Sequence, residues 1–194
     1  SSDLVFLNNC YLDAEALITF FRMTGRKHIF ITGSRGSGKS HLVNNMLKHM
    51  SDSFNLLQSH RTDTPQVVIK SNLVADNKEF VIGVPRTSGI NPASKGNNMT
   101  IIEDGFINCA IPAIDTHLDT TPERLFVIDE LGYLESSCIP FQKAVEKLLD
   151  NSHVLAVIRK QSTEFLNRIC NRKDVLVIDI DNTFETLSCI IMAS

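Results

Sequence analysis

Gly33-Ser34-Arg35-Gly36-Ser37-Gly38-Lys39-Ser40 fills every fixed position of the pattern G-x-x-x-x-G-K-[ST]. Immediately before it, His28-Ile29-Phe30-Ile31-Thr32 reads as a buried strand. Beyond it, Leu42, Val43, Met46, Leu47 and Met50 recur at spacings of one, three and four, the apolar stripe of a helix. Strand, glycine loop and helix in that order predict a phosphate cradle. Glycines let successive backbone N–H groups turn inward around phosphate oxygens, and the helix N-terminus adds the positive end of its dipole. Lys39 then reaches the β- and γ-phosphates and the Ser40 hydroxyl supplies a ligand for Mg2+. Gly33, Ser34, Arg35, Gly36, Ser37, Gly38, Lys39 and Ser40, with His41 just beyond, are therefore the candidate nucleotide-binding residues.

A second signal lies downstream. Leu125-Phe126-Val127-Ile128-Asp129-Glu130 is four apolar residues followed by two acids, the form expected where a buried strand delivers carboxylates to its C-terminal end. Ligands of open parallel sheets bind outside those ends, so Asp129 is expected near the loop as the second Mg2+ anchor. Glu130 is expected close to the γ-phosphate, able to orient or deprotonate a water, which makes Glu130 and Lys39 the catalytic candidates.

The rest of the chain predicts the fold class. Val154 to Ile158 and Val175 to Ile180 are apolar strands, and they alternate with helical patterns around Phe141 to Leu149 and Thr163 to Cys170. Fully apolar strands alternating with helices indicate an α/β fold, a P-loop three-layer sandwich whose mostly parallel sheet is covered by helices on both faces. Val67-Val68-Ile69 and Phe80 to Val84 read as strands that pair as a hairpin or at a sheet edge. Ser51 to Gln66 reads as polar, and Phe106 to Leu118 as a helix bent or broken near Pro112. Leu12, Ala16, Leu17 and Phe20 suggest that residues 1–26 form a helical extension ending near Gly25, and a last helix follows Ile180. The Gly-, Asn-, Ser- and Pro-rich stretch from Arg86 to Met99 has the composition of a mobile loop.

At 194 residues the chain is expected to form one domain. Its charge of −3 gives no diffuse basic field for nucleic acid, and no apolar run is long enough to cross a membrane. Five scattered cysteines without a C-x-x-C pair favour free thiols, and with no secretion-signal pattern at the N-terminus a cytoplasmic protein is expected. Asn171-Arg172-Lys173-Asp174 imitates a guanine-reading N-K-x-D motif, but its lysine stands one place late. The residues thus leave three readings: triphosphate hydrolysis, phosphoryl transfer to a small acceptor by a kinase, and a nucleotide-dependent switch without turnover.

The sequence resembles the small P-loop nucleoside triphosphatases first described from thermophiles, which include the cancer-related nucleoside triphosphatase of animals. Lys27 to Ser40 is similar to that family's opening strand and loop. Ile128-Asp129-Glu130-Leu131-Gly132-Tyr133-Leu134-Glu135, with Phe141 and Ala144-Val145, resembles its D-E-[IL]-G-x-[ML]-E segment and next helix. Asn171 to Val175, with Asn182, resembles its C-terminal stretch. Arg35, His41 and Tyr133 depart from the residues common there. The resemblance implies hydrolysis of ATP, GTP and other nucleoside triphosphates to diphosphate and phosphate with Mg2+, Glu130 as catalytic carboxylate, and Asn182 near the base or capping a helix.

Overall fold

The computed structural model describes residues 4–7, 10–13, 18, 21–49, 54–86 and 99–182. A short antiparallel pair, β1 (Leu4–Leu7) and β2 (Cys10–Asp13), precedes β3 (His28–Gly33) and α1 (Lys39–His49). Next come β4 (Asn55–Arg61), β5 (Val67–Ser71), β6 (Phe80–Pro85), β7 (Met99–Ile101), α2 (Ile111–Thr120) and β8 (Leu125–Leu131). The chain continues through α3 (Ile139–Asn151), β9 (His153–Arg159), α4 (Glu164–Cys170) and β10 (Val175–Asp179).

Eight strands make one sheet in the order β10-β3-β9-β8-β4-β5-β6-β7. The first five run parallel, and β5, β6 and β7 add an antiparallel edge. Alternation along the parallel strands feeds two separate cores. Phe30, Phe126, Ile128, Ala156 and Ile158 pack with Phe141, Val145 and Leu148 of α3 and Leu166 of α4. Ile29, Ile31, Val127, Leu155, Val157 and Ile178 pack with Leu42, Val43 and Met46 of α1 on the opposite face. Each Val, Leu, Ile, Phe or Met among them contributes ~1.5–3 kcal/mol on burial, and a register slip of one residue would exchange the two sets. The doubly covered, mostly parallel sheet is the α/β architecture expected.

Several elements differ from the sequence reading. Leu12 lies in β2, so the segment expected to be a helical extension begins as a strand pair. Residues 21–24 are helical and stop at Gly25, whose φ of 64° suits a residue without a Cβ; Ala16, Leu17 and Phe20 lie outside the described residues. Ser51 to Gln66 contains β4, which has only two apolar residues. The helix expected around Pro112 contains a π-helical turn, Phe106–Ala110, directly before α2, and Pro112 follows in the first turn of α2, where its missing N–H is tolerated. The loop between Arg86 and Met99 and the helix after Asn182 lie outside the described residues.

At the N-terminal end of the sheet, His28 is fully buried. Its Nδ1 accepts a hydrogen bond from the Val154 N–H at 3.2 Å, so the neutral ring carries its proton on Nε2. Nε2 lies 3.5 Å from Asp174 Oδ2, near enough for attraction but without hydrogen-bond alignment. Protonation of Nδ1 would place two donors face to face, and burial already lowers the imidazole pKa from 6.5 to about 4 despite Asp174. Arg172 meanwhile grips Asp174 through two nitrogens, at 2.9 and 2.8 Å. The imitation guanine motif is thus a strut at the far end of the sheet from the glycine loop.

Because the folded-state pKa of His28 is depressed, its contribution is fully present above about pH 6.5 and is lost as pH falls toward 4. The difference corresponds to about 3 kcal/mol. Urea unfolding at about pH 7 and about pH 4.5 is expected to show this loss in the parent and a clearly smaller one in His28→Asn. An equal loss in both would remove His28 as its source.

Candidate active site

The sheet register brings Gly33 to the C-terminal end of β3, where the chain turns into the glycine loop. A Cβ on Gly33 would stand 2.6 Å from Ile180 Cγ1 and 2.9 Å from Ser37 Oγ, so no larger residue fits that turn. Gly36 and Gly38, at φ 77° and 94°, bend the backbone onward to the first turn of α1. Lys39 Nζ folds back onto the loop, donating to Gly33 O at 2.9 Å and Ser34 O at 2.8 Å. The loop is tethered at its base: Ser34 N and Oγ both donate to Asp181 Oδ2, at 2.7 and 2.6 Å, and Lys160 Nζ lies 3.1 Å from the same oxygen. The Ser34 hydrogen bonds, with Lys160, hold the Asp181 carboxyl below its usual range.

β8 delivers the acids with a register shift. Asp129 is opposite Val157 and Leu131 is opposite Ile158, which leaves Glu130 as an extra residue in a bulge. Strict alternation would have aimed Glu130 at the core that holds Ile128. The bulge puts Leu131 there instead, fully buried, and turns Glu130 toward the loop, where its carboxylate pairs with the Arg159 guanidinium. A cavity of about 830 Å³ is lined by the whole loop from Gly33 to His41 together with Arg61, Glu130, Arg159 and Lys160. Of the candidate phosphate-loop, catalytic and metal residues, only Asp129 is missing from that lining.

Asp129 instead lines an adjoining cavity of about 310 Å³, which it shares with Ser40, Gln58, Arg61, Glu130 and Arg159. Gln58 is directly opposite Asp129 in the β4–β8 register and donates from Nε2 to Asp129 Oδ2 at 3.4 Å. Burial raises the Asp129 pKa, and Glu130 adds to the rise; the Gln58 hydrogen bond and the Lys39 charge oppose it. One hydroxyl and one half-buried carboxylate on a common wall are hard oxygen donors of the kind that suit a small divalent cation. Its remaining ligands would come from phosphate and water, since among the described residues no three His, Cys, Asp or Glu side chains converge.

Glu135 fixes the turn after β8. It is buried, and burial raises its pKa. Its Oε2 accepts from Gly132 N at 2.9 Å and its Oε1 from Ser59 Oγ at 3.3 Å, so it ties the Glu130 segment to β4.

The fold matches the crystal structure of THEP1 from the hyperthermophile Aquifex aeolicus, with TM-score 0.63, 17% identity, and coverage of 86% of this chain and 95% of that one. It also matches the solution structure of a human cancer-related nucleoside triphosphatase, with TM-score 0.58, 20% identity, and coverage of 86% and 96%. The nucleoside-triphosphatase THEP1 of Thermotoga sp. strain RQ2 is 26% identical over 155 residues, which is 79% of this chain and 86% of that protein. Its counterpart from Thermotoga maritima is 23% identical over 154 residues, again 79% and 86%. A family model described as NTPase matches residues 28–187. The chain belongs to this NTPase family.

Within the NTPase chain, sequence reasoning missed Gln58, Arg61 and Glu135. The first two sit on β4, whose polar C-terminal half faces the cavities and hides the strand pattern. Glu135 closes the D-E-[IL]-G-x-[ML]-E segment that carries the resemblance, but its part in tying that segment to β4 shows only in the fold. His41 lines the cavity rim and pairs with Asn45 at 3.2 Å. Asn182 donates its backbone N–H to Asp179 O at 3.1 Å just after β10. No helix among the described residues is long and apolar enough to cross a membrane.

Since the Gln58 hydrogen bond favours the charged form of Asp129, Gln58→Leu is expected to raise the Asp129 pKa further. The acid limb of any divalent-cation-dependent nucleotide binding through Asp129 should then move to higher pH, while binding well above neutrality is kept. An unmoved acid limb in a pH titration would disconnect Gln58 from Asp129.

Proposed function

We propose that this chain, acting as a single cytoplasmic domain, hydrolyses ATP, GTP and other nucleoside triphosphates to diphosphate and phosphate. Membership in the NTPase family makes triphosphate hydrolysis its activity. The observation that supports the assignment of roles is the convergence of the loop, Lys39, Glu130 and Arg159 on one cavity.

On this reading the loop N–H groups and the α1 N-terminus take up the phosphate chain, and Lys39 exchanges the Gly33 and Ser34 carbonyls for β- and γ-phosphate oxygens. Mg2+ would be held by the Ser40 hydroxyl and the Asp129 carboxylate and would neutralise charge on the phosphate oxygens. Glu130 accepts a hydrogen bond from a water in line with the γ-phosphorus and takes up its proton as the oxygen bonds to phosphorus and the bridging oxygen leaves. Contacts fall on phosphate rather than base, which supports broad base acceptance.

Phosphoryl transfer to a hydroxyl acceptor is the second reading. It is favoured by the adjoining cavity, where Ser59, His60 and Tyr133 stand beside Glu130. Release of inorganic phosphate without any added acceptor separates hydrolysis from transfer.

Two neighbouring carboxylates test the roles because their losses differ in kind. Glu130→Gln is expected to lower turnover by about 10²-fold or more while triphosphate binding is kept or tightened. Asp129→Asn should weaken the Mg2+-dependent binding itself. Lys39→Ala is expected to reduce affinity or turnover by at least about tenfold with the fold intact. Parental turnover in Glu130→Gln would refute the water-activating role, and unchanged binding and turnover in Lys39→Ala would refute the loop assignment.

A further inference from the structure

Arg159 occupies a position that neither the loop motif nor the acidic strand end announces. It is the last residue of β9, the strand that separates β3 from β8, and it is in register with Gly33, the first residue of the loop. Its side chain therefore leaves the sheet between the phosphate cradle and the acidic pair. The stem lies along Gly132: a Cβ there would be 3.0 Å from Arg159 Cδ and 3.4 Å from Cγ. That contact directs the guanidinium toward the cavity mouth, where Nε donates to Glu130 Oε1. Among the described residues, nothing accepts from its two terminal nitrogens. Arg159 is 53% exposed where Glu130 is 27%, and it lines both the phosphate cavity and the adjoining one.

The electrostatics of this pairing create a problem that the substrate solves. A γ-phosphate entering beside Glu130 brings like charge against a carboxylate that must stay ionised to accept a proton. A cation between them removes the repulsion, and a guanidinium with a free fork engages phosphate oxygens with two parallel N–H bonds. A nucleoside diphosphate in the same loop places no phosphate at that point, so the Arg159–Glu130 pair stays closed.

We propose that Arg159 reads the γ-phosphate: it binds the terminal phosphate of a triphosphate, and in doing so releases Glu130 to the attacking water. This rests on the hydrolytic reading above and adds the residue that distinguishes triphosphate from diphosphate. Arg159 touches substrate in this scheme and is a catalytic residue. Gly132 positions it by leaving room for its stem.

The test compares binding of a non-hydrolysable ATP analogue and of ADP, both with Mg2+, in the parent, Arg159→Gln, Arg159→Lys and Lys39→Ala, with thermal unfolding as a check on the fold. Arg159→Gln should lose at least about tenfold in analogue affinity while ADP affinity stays within about twofold, and its single-turnover rate should fall by about 10²-fold. Arg159→Lys, which keeps the charge without the fork, should lie between. Glu130→Gln should tighten analogue binding in the parent background and not in the Arg159→Gln background, because the guanidinium freed from Glu130 is what gains. Equal losses for analogue and ADP, no loss for either, or the same effect of Glu130→Gln in both backgrounds would overturn the proposal. If Lys39→Ala loses both nucleotides while Arg159→Gln loses neither, the phosphate-loop reading stands and only the role of Arg159 falls.

Discussion

The active site depends on one spacing, set by a strand that carries neither the loop nor the acids. β9 lies between β3 and β8, so the phosphate loop and the Asp129–Glu130 pair are two inter-strand distances apart, about 10 Å. Adjacent strands would press the acids against the loop. Two strand widths leave room for a terminal phosphate, a cation and a water. What holds that spacing is apolar: Leu155 and Val157 of β9 pack beneath α1, while Ala156 and Ile158 pack on the other face. The doubly buried parallel sheet is thus the ruler against which the chemistry is laid out.

Among the described residues, most of the charge at the C-terminal ends of the strands is arranged in partnered groups. Asp181 and Asp179 take Lys160, Glu130 takes Arg159, and Lys39 rests on loop carbonyls. Asp129 is the one whose burial is least compensated, with a long hydrogen bond from Gln58 and the field of Lys39 opposing its desolvation. On the hydrolytic reading, binding a triphosphate with its cation would exchange partners at Lys39 and Arg159. Low local dielectric makes those exchanges count for more than they would in water.

How much of this was legible in the sequence follows from what each element demands of its residues. The loop was legible because its backbone needs glycine at fixed positions, and β8 because a doubly buried strand is apolar throughout. β4 was not: its outer half borders the cavities, so Gln58, Ser59, His60 and Arg61 read as a polar linker. The aim of Glu130 was hidden for a different reason. A period-two reading places Asp129 and Glu130 on opposite faces, and only the register shift before Leu131 reveals that Glu130 stands in a bulge. Arg159 belongs to neither motif, and only the β3–β9 register sets it opposite Gly33. Short strands such as β1, β2 and β7 carry too few residues for alternation to show.

On the proposed function, this site hydrolyses triphosphates by gripping phosphate and not base. The most direct measurement is inorganic phosphate release from ATP, GTP, CTP and UTP with Mg2+ and no added acceptor, with Lys39→Ala as control. Release is expected from all four, with kcat/KM values within about a hundredfold of one another, and loss of that activity in Lys39→Ala. No release from any of them, a steeper preference for one base, or release unaffected by Lys39→Ala would contradict this function.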